Sequence, residues 1–182
     1  AEAGSRRSLT IQNSLITGYQ SGGVLFDDAT GADGAPANTV GSGLPMYGTI
    51  TGTRIVGSGS NTVIPQNGVK YAAGARGSIT NSEITANYYA TDRRQSAGIL
   101  LTGADTSAAD PQNPAQPAFS ATNNLITSNG YGLFNADISN TATPPRLGAP
   151  AIATGNWWGC AGGPNVGNPS ANATASTCQG IS

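Results

Sequence analysis

Apolar and polar positions recur along this chain in one fixed order. The order is seen in Ile11-Gln12-Asn13-Ser14-Leu15-Ile16, Ile50-Thr51-Gly52-Thr53-Arg54-Ile55 and Ile79-Thr80-Asn81-Ser82-Glu83-Ile84. It returns in Ala121-Thr122-Asn123-Asn124-Leu125-Ile126 and Ala153-Thr154-Gly155-Asn156-Trp157-Trp158. Each copy runs apolar, polar, Asn or Gly, small polar, variable, large apolar. The first four copies are followed by Gly and an aliphatic residue: Gly23-Val24, Gly68-Val69, Gly98-Ile99 and Gly132-Leu133. Alternation within each copy has period two, which predicts strands with one face inward. Repetition predicts stacked units, each strand pairing with its equivalent in the next unit about 4.8 Å away.

Like residues then stack on like. One predicted inward column holds Ile11, Ile50, Ile79, Ala121 and Ala153. A second holds Ile16, Ile55, Ile84, Ile126 and Trp158, and a third holds Val24, Val69, Ile99 and Leu133. Spacings at the second column are 39, 29, 42 and 32 residues. The shortest segments, of 5, 7 and 10 residues, define a minimal rung of 22 residues. The excess is predicted to be loop insertion. Residues 27–48, 102–118 and 136–150 would follow one strand, and residues 57–67 and 86–97 another. Trp158 is in phase with the isoleucines and is expected to plug the end of the stack. Trp157 is out of phase and should point outward, packing under the tail or serving as a sugar platform. Arg54 and Glu83 hold equivalent outward positions and should form an exposed ion pair worth less than about 1 kcal/mol.

Composition narrows the functional classes. Of 182 residues only 9% are charged, Gly numbers 26, and the net charge is −1. Without a basic patch, nucleic acid is not an expected partner. No apolar run approaches the roughly 18 residues of a membrane span. The first repeat begins at once, which fits a processed chain or part of a longer one. The tail after the last repeat carries Cys160 and Cys178. A disulfide between them would contribute about 3 kcal/mol by the loop-entropy model and would imply an oxidising compartment. Asn172-Ala173-Thr174 is a glycosylation sequon, of little weight in so Asn- and Thr-rich a tail.

The recurring Ile-x-Asn-Ser-x-Ile followed by Gly-Val/Ile resembles the repeat of the pectate-lyase-like superfamily. The segment Gly155-Asn156-Trp157-Trp158-Gly159, then Gly162-Gly163-Pro164, resembles the Asn-Trp-Trp-Gly segment of secreted bacterial surface proteins of that fold. The resemblance implies a right-handed parallel β-helix. It says little about activity, since that superfamily holds lyases, hydrolases, epimerases, tailspikes, adhesins and sugar-binding modules.

Candidate chemistry is sparse. There is no histidine, which excludes imidazole catalysis and His-ligated metal in this chain. Asp27, Asp28, Asp105 and Asp137 all follow the second strand of the pattern, at one corner. Two convergent carboxylates would suit glycoside hydrolysis, and three would suit Ca²⁺. Their offsets from Val24, Ile99 and Leu133 differ, which argues against a register-locked set. Lys70, Arg93 and Arg94 are the expected exposed bases, and lyases of the superfamily use a basic residue near Ca²⁺-bound uronate. Tyr88 and Tyr89 beside Arg93 and Arg94 form the best local sugar-binding cluster, aromatic faces stacking on pyranose rings and guanidinium groups forking carboxylates. Outward threonines also align, Thr51 with Thr80, Thr122 and Thr154, and Thr17 with Thr85 and Thr127; such arrays order water in ice-binding solenoids, although threonine is also a good outward strand residue.

The expected fold is therefore all-β, a right-handed parallel β-helix of about five rungs over residues 1–159. A disulfide-closed capping tail over 160–182 would complete a single domain. The expected function is a secreted or cell-surface structural and binding module, non-catalytic and without a resident cofactor, with Ca²⁺ at the aspartate corner as the alternative. Its partner would be polysaccharide, cell-surface glycan or neighbouring protein subunits. The alternative is the terminal part of a polysaccharide lyase or glycoside hydrolase whose catalytic rungs lie elsewhere. The candidate binding residues are Tyr88, Tyr89, Arg93, Arg94, Asp27, Asp105 and Asp137.

Overall fold

The computed structural model describes residues 7–28, 46–104, 115–136, 151–161, 163–166 and 180–181. Each of the first four repeats forms three strands. The first has β1 (Arg7–Gln12), β2 (Leu15–Thr17) and β3 (Gly22–Asp27). The second has β4 (Met46–Thr51), β5 (Arg54–Asn61) and β6 (Asn67–Ala72). The third has β7 (Arg76–Thr80), β8 (Glu83–Tyr89) and β9 (Ala97–Thr102), and the fourth has β10 (Phe119–Thr122), β11 (Leu125–Thr127) and β12 (Tyr131–Asn135). Equivalent strands pair in parallel, giving sheets β1-β4-β7-β10, β2-β5-β8-β11 and β3-β6-β9-β12. Three parallel sheets stacked repeat on repeat are the arrangement of a β-helix-like solenoid. The sole helical element among the described residues is a 3₁₀ turn, Arg93–Gln95. No helix there is long and apolar enough to cross a membrane.

The predicted columns are in register. Ile11 pairs with Ile50, Ile50 with Ile79, and Ile79 with Ala121. Ile16, Ile55, Ile84 and Ile126 align likewise, as do Val24, Val69, Ile99 and Leu133. From the second rung onward these side chains are buried, and Trp158 is 3% exposed at the end of the second column. A full isoleucine burial contributes about 2 kcal/mol, so the columns dominate the stability of the stack. A further inward group is aromatic: Phe26, Tyr71 and Phe119 have successive ring centroids 4.8 and 5.1 Å apart.

The recurrent Asn or Gly is a backbone requirement. Asn13, Gly52, Asn81, Asn123 and Gly155 have φ of 50°, 58°, 50°, 58° and 68°. They make the tight corner between the first and second sheets in the left-handed region, where Asn and Gly are best tolerated. The next residue turns inward and knits the rungs. Ser82 N donates to Asn124 Oδ1 (2.9 Å), and Asn124 N donates to Asn156 Oδ1 (2.9 Å). Asn124 Nδ2 donates to Ile79 O (2.9 Å) and Asn156 Nδ2 to Ala121 O (2.8 Å), so buried backbone groups at the corner are satisfied by side chains. Earlier rungs use Thr53 and Ser82 hydroxyls in the same place.

The glycine before each aliphatic is required by close packing. A Cβ on Gly68 would come within 2.6 Å of Ile84 Cγ2 and 2.7 Å of Gly98 O. One on Gly98 would meet Asn129 Nδ2 at 2.8 Å and Gly132 O at 2.9 Å.

Three expectations are corrected. Residues 57–61 and 86–89 are not insertion loop: they extend β5 and β8, with a bulge between Val56 and Gly59. The fifth repeat does not form full strands among the described residues; it makes single bridges, Ile152 to Ser120 and Trp157 to Leu125. The tail does more than cover the end. Its strands β13 (Asn165–Val166) and β14 (Gly180–Ile181) join the third sheet in the order β12-β14-β13, so the later segment lies inside the earlier one.

Candidate functional site

Tyr88 and Tyr89 close β8, in register with Ser60 and Asn61 of β5. Both are half-buried. Asn61 Nδ2 donates to Tyr88 O (3.3 Å), and Tyr89 N donates to Ser96 Oγ (2.9 Å), so the pair is held by both flanking segments. They are strand residues, which makes them a stiffer display than the loop the sequence suggested.

The 3₁₀ turn that follows splits the two arginines. Asp92 caps it, accepting from Arg94 N (3.0 Å). Arg94 Nε and Nη2 fork the Asp92 carboxylate, each at 2.9 Å. The Arg94 side-chain hydrogen bond is the main reason the Asp92 carboxyl is held down at about 2. Arg93 is not the exposed base that was expected: it is 1% exposed, and its Nη2 donates to Gly130 O (3.1 Å). It ties the turn to the fourth rung. What this region offers is Tyr88 and Tyr89 at the end of β8 and, on the following turn, a charge-neutral Arg94–Asp92 pair whose guanidinium lies near Tyr131, with Arg93 as a buried strut.

Asp27 stands exposed at the end of β3, opposite Ala72. Asp28 is ion-paired with Arg7. Asp105 and Asp137 lie outside the described residues. Among the described residues no three acidic, Cys or His side chains converge on a point that would hold a metal ion. Lys70 stands outward on β6 between Leu25 and Leu100, as expected from the register. Cys160 Sγ lies 3.1 Å from Gly163 O; its expected partner Cys178 is outside the described residues.

Sequence reasoning missed a groove along the corner between the first and second sheets. It is a shallow, open groove of about 430 Å³ lined by Arg54, Asn81, Glu83, Asn123 and Leu125, among others. Arg54 Nε donates to Glu83 Oε2 (2.7 Å) and Nη2 to Oε1 (3.3 Å), the cross-rung pair anticipated from register. Leu125 pairs with Glu83 on one side and bridges Trp157 on the other. The signal was present as the variable fifth position of each repeat, which reads Leu15, Arg54, Glu83, Leu125, Trp157 down one outward row.

Comparison of the chain with protein-family models, with curated proteins and with solved structures gave no match.

Proposed function

We propose that this chain is a secreted or cell-surface binding module that holds glycan on a rigid β-solenoid and performs no catalysis of its own. The observation that carries this reading is a half-buried Tyr88–Tyr89 strand end tied through Ser96 to the turn that bears the Arg94–Asp92 fork. Aromatic faces supply stacking area at low entropic cost, and a guanidinium–carboxylate pair offers directed donors and acceptors to hydroxyl groups. The tyrosines end a paired strand and the fork sits on a 3₁₀ turn tied to the fourth rung through Arg93, so little ordering is needed on binding. The reading includes a right-handed β-helix of the pectate-lyase-like kind, consistent with the strong preference for right-handed parallel crossovers. It also includes a Cys160–Cys178 disulfide that pins the tail where β14 enters the third sheet.

Affinity electrophoresis on acidic and neutral polysaccharides, with and without Ca²⁺, tests the reading. Retention without new reducing ends or unsaturated uronates is expected, and it should weaken in Tyr88→Ala and Tyr89→Ala. Product formation would instead favour a polysaccharide-degrading enzyme.

A neighbouring subunit is the second reading, favoured by the outward row Leu25, Lys70, Leu100 and Phe134 on the third sheet. Leu25 is 58% exposed at the head of this row, and exposed apolar surface rimmed by polar groups is the kind that marks interaction sites. Sedimentation of the protein and of Leu25→Lys would decide whether that row joins copies.

A further inference from the structure

We infer that the corner groove is a second carbohydrate site, one that takes a neutral glycan chain running along the stacking axis. This extends the binding function proposed above to a separate surface, on a different corner from Tyr88 and Tyr89.

The argument begins with the outward row. Arg54, Glu83, Leu125 and Trp157 occupy successive rungs in register. Parallel strands repeat about every 4.8 Å, close to the length of one sugar unit in an extended glycan. A chain lying along the row would therefore meet one rung per sugar. Leu125, 39% exposed, lines the groove, and Trp157, 50% exposed, bridges to it one rung beyond, so the row continues past the groove's end with apolar surface for a pyranose face. Toward the earlier rungs the row becomes polar, with the Arg54–Glu83 fork beside Asn81 and Asn123 of the corner. Hydroxyl groups are matched by such a wall of amides, carboxylate and guanidinium.

Charge decides the ligand class. Arg54 spends both Nε and Nη2 on Glu83, and the raised pKa of Arg54 has that hydrogen bond as its main cause. The groove thus presents no uncompensated cation among its lining residues, and a uronate carboxylate would face Glu83. A neutral hexose polymer meets neither penalty. The side chains are already placed by strand pairing and by the left-handed turns at Asn81 and Asn123, so the site is preformed.

Isothermal titration with a β-1,4-linked glucose hexasaccharide, a mannose hexasaccharide and hexagalacturonate tests this. The wild-type protein should bind a neutral hexasaccharide, and Tyr88→Ala/Tyr89→Ala should lose part of that binding and keep the part held by the groove. Trp157→Ala should weaken that binding about tenfold, as expected for loss of an aromatic stacking face at the end of the row. Glu83→Gln should weaken neutral binding and admit hexagalacturonate, since Arg54 loses its counter-charge. Circular dichroism of each variant confirms that the stack persists. Binding that is lost in Tyr88→Ala/Tyr89→Ala but unchanged in Trp157→Ala would overturn the groove and leave the first site standing. Preference for hexagalacturonate by the wild type, or absence of binding to any of the three, would also overturn it.

Discussion

The Tyr19 hydroxyl donates to Asn87 Oδ1 at 2.6 Å, joining the first rung to the third across the whole of the second. Asn87 is fully buried and also donates through Nδ2 to Thr85 O (3.1 Å) and to Asn129 Oδ1 (2.9 Å). The Tyr19 ring fits because position 23 is Gly: a Cβ there would lie 2.9 Å from Tyr19 Cε1. Tyr19→Phe removes the donor and leaves Asn87 Oδ1 buried without it. A loss of about 1–3 kcal/mol is expected in urea unfolding, the cost of an unsatisfied buried acceptor. An unchanged midpoint would show that the contact contributes nothing.

The same tyrosine makes the protein sensitive to alkali. Burial, only partly opposed by the Asn87 bond, pushes Tyr19 up to about 12 from 10.0, and burial raises Tyr71 as well. Between those values the unfolded chain releases protons that the folded chain retains. The tyrosine contribution to stability is therefore constant below about pH 10 and falls as pH rises toward 12. Thermal melts from pH 8 to 12 should show this decline, with a shallower slope in Tyr19→Phe.

Asn124→Ala should be more damaging than loss of a surface amide. It strips Ser82 N of its acceptor and Ile79 O of its donor at a corner that is 3% exposed at Asn124. Two unsatisfied buried groups predict a loss of about 2–5 kcal/mol. Asn123→Ala, one residue earlier, instead places a residue less suited to φ of 58° on the turn; a smaller penalty of about 1 kcal/mol is expected. Chemical denaturation of the two variants side by side checks the ranking.

Acid should release the 3₁₀ turn before it unfolds the stack. The Asp92 carboxyl is held near 2 against an ordinary 3.8. A depressed acid stabilises above its unfolded value and loses that contribution as pH falls through the folded value. Amide signals of residues 92–96 should therefore shift between about pH 4 and pH 2, while those of Ile55 and Ile84 hold. Asp92→Asn should abolish the local transition.

The stacking register was legible because each rung repeats the same inward residue types, and a one-residue slip would have exposed every isoleucine. The corner Asn or Gly was visible as a repeat, yet its reason lies in a backbone angle. The burial of Arg93 was hidden, since its partner is a carbonyl at Gly130, 37 residues away. The place of β14 inside β13 was equally hidden: strands of two residues carry too few side chains for a periodic signal. Of the candidate site, the Tyr88–Arg94 neighbourhood was found from local sequence. The groove was not, because Arg54, Glu83 and Leu125, which line it, meet only through stacking.

Retention on immobilised neutral polysaccharide, with the eluate assayed for new reducing ends and unsaturated uronates, tests the account most directly. The account predicts retention by the wild type, no product, and weaker retention after Tyr88→Ala/Tyr89→Ala. Passage without retention on every neutral and acidic polysaccharide, or release of product, would contradict it.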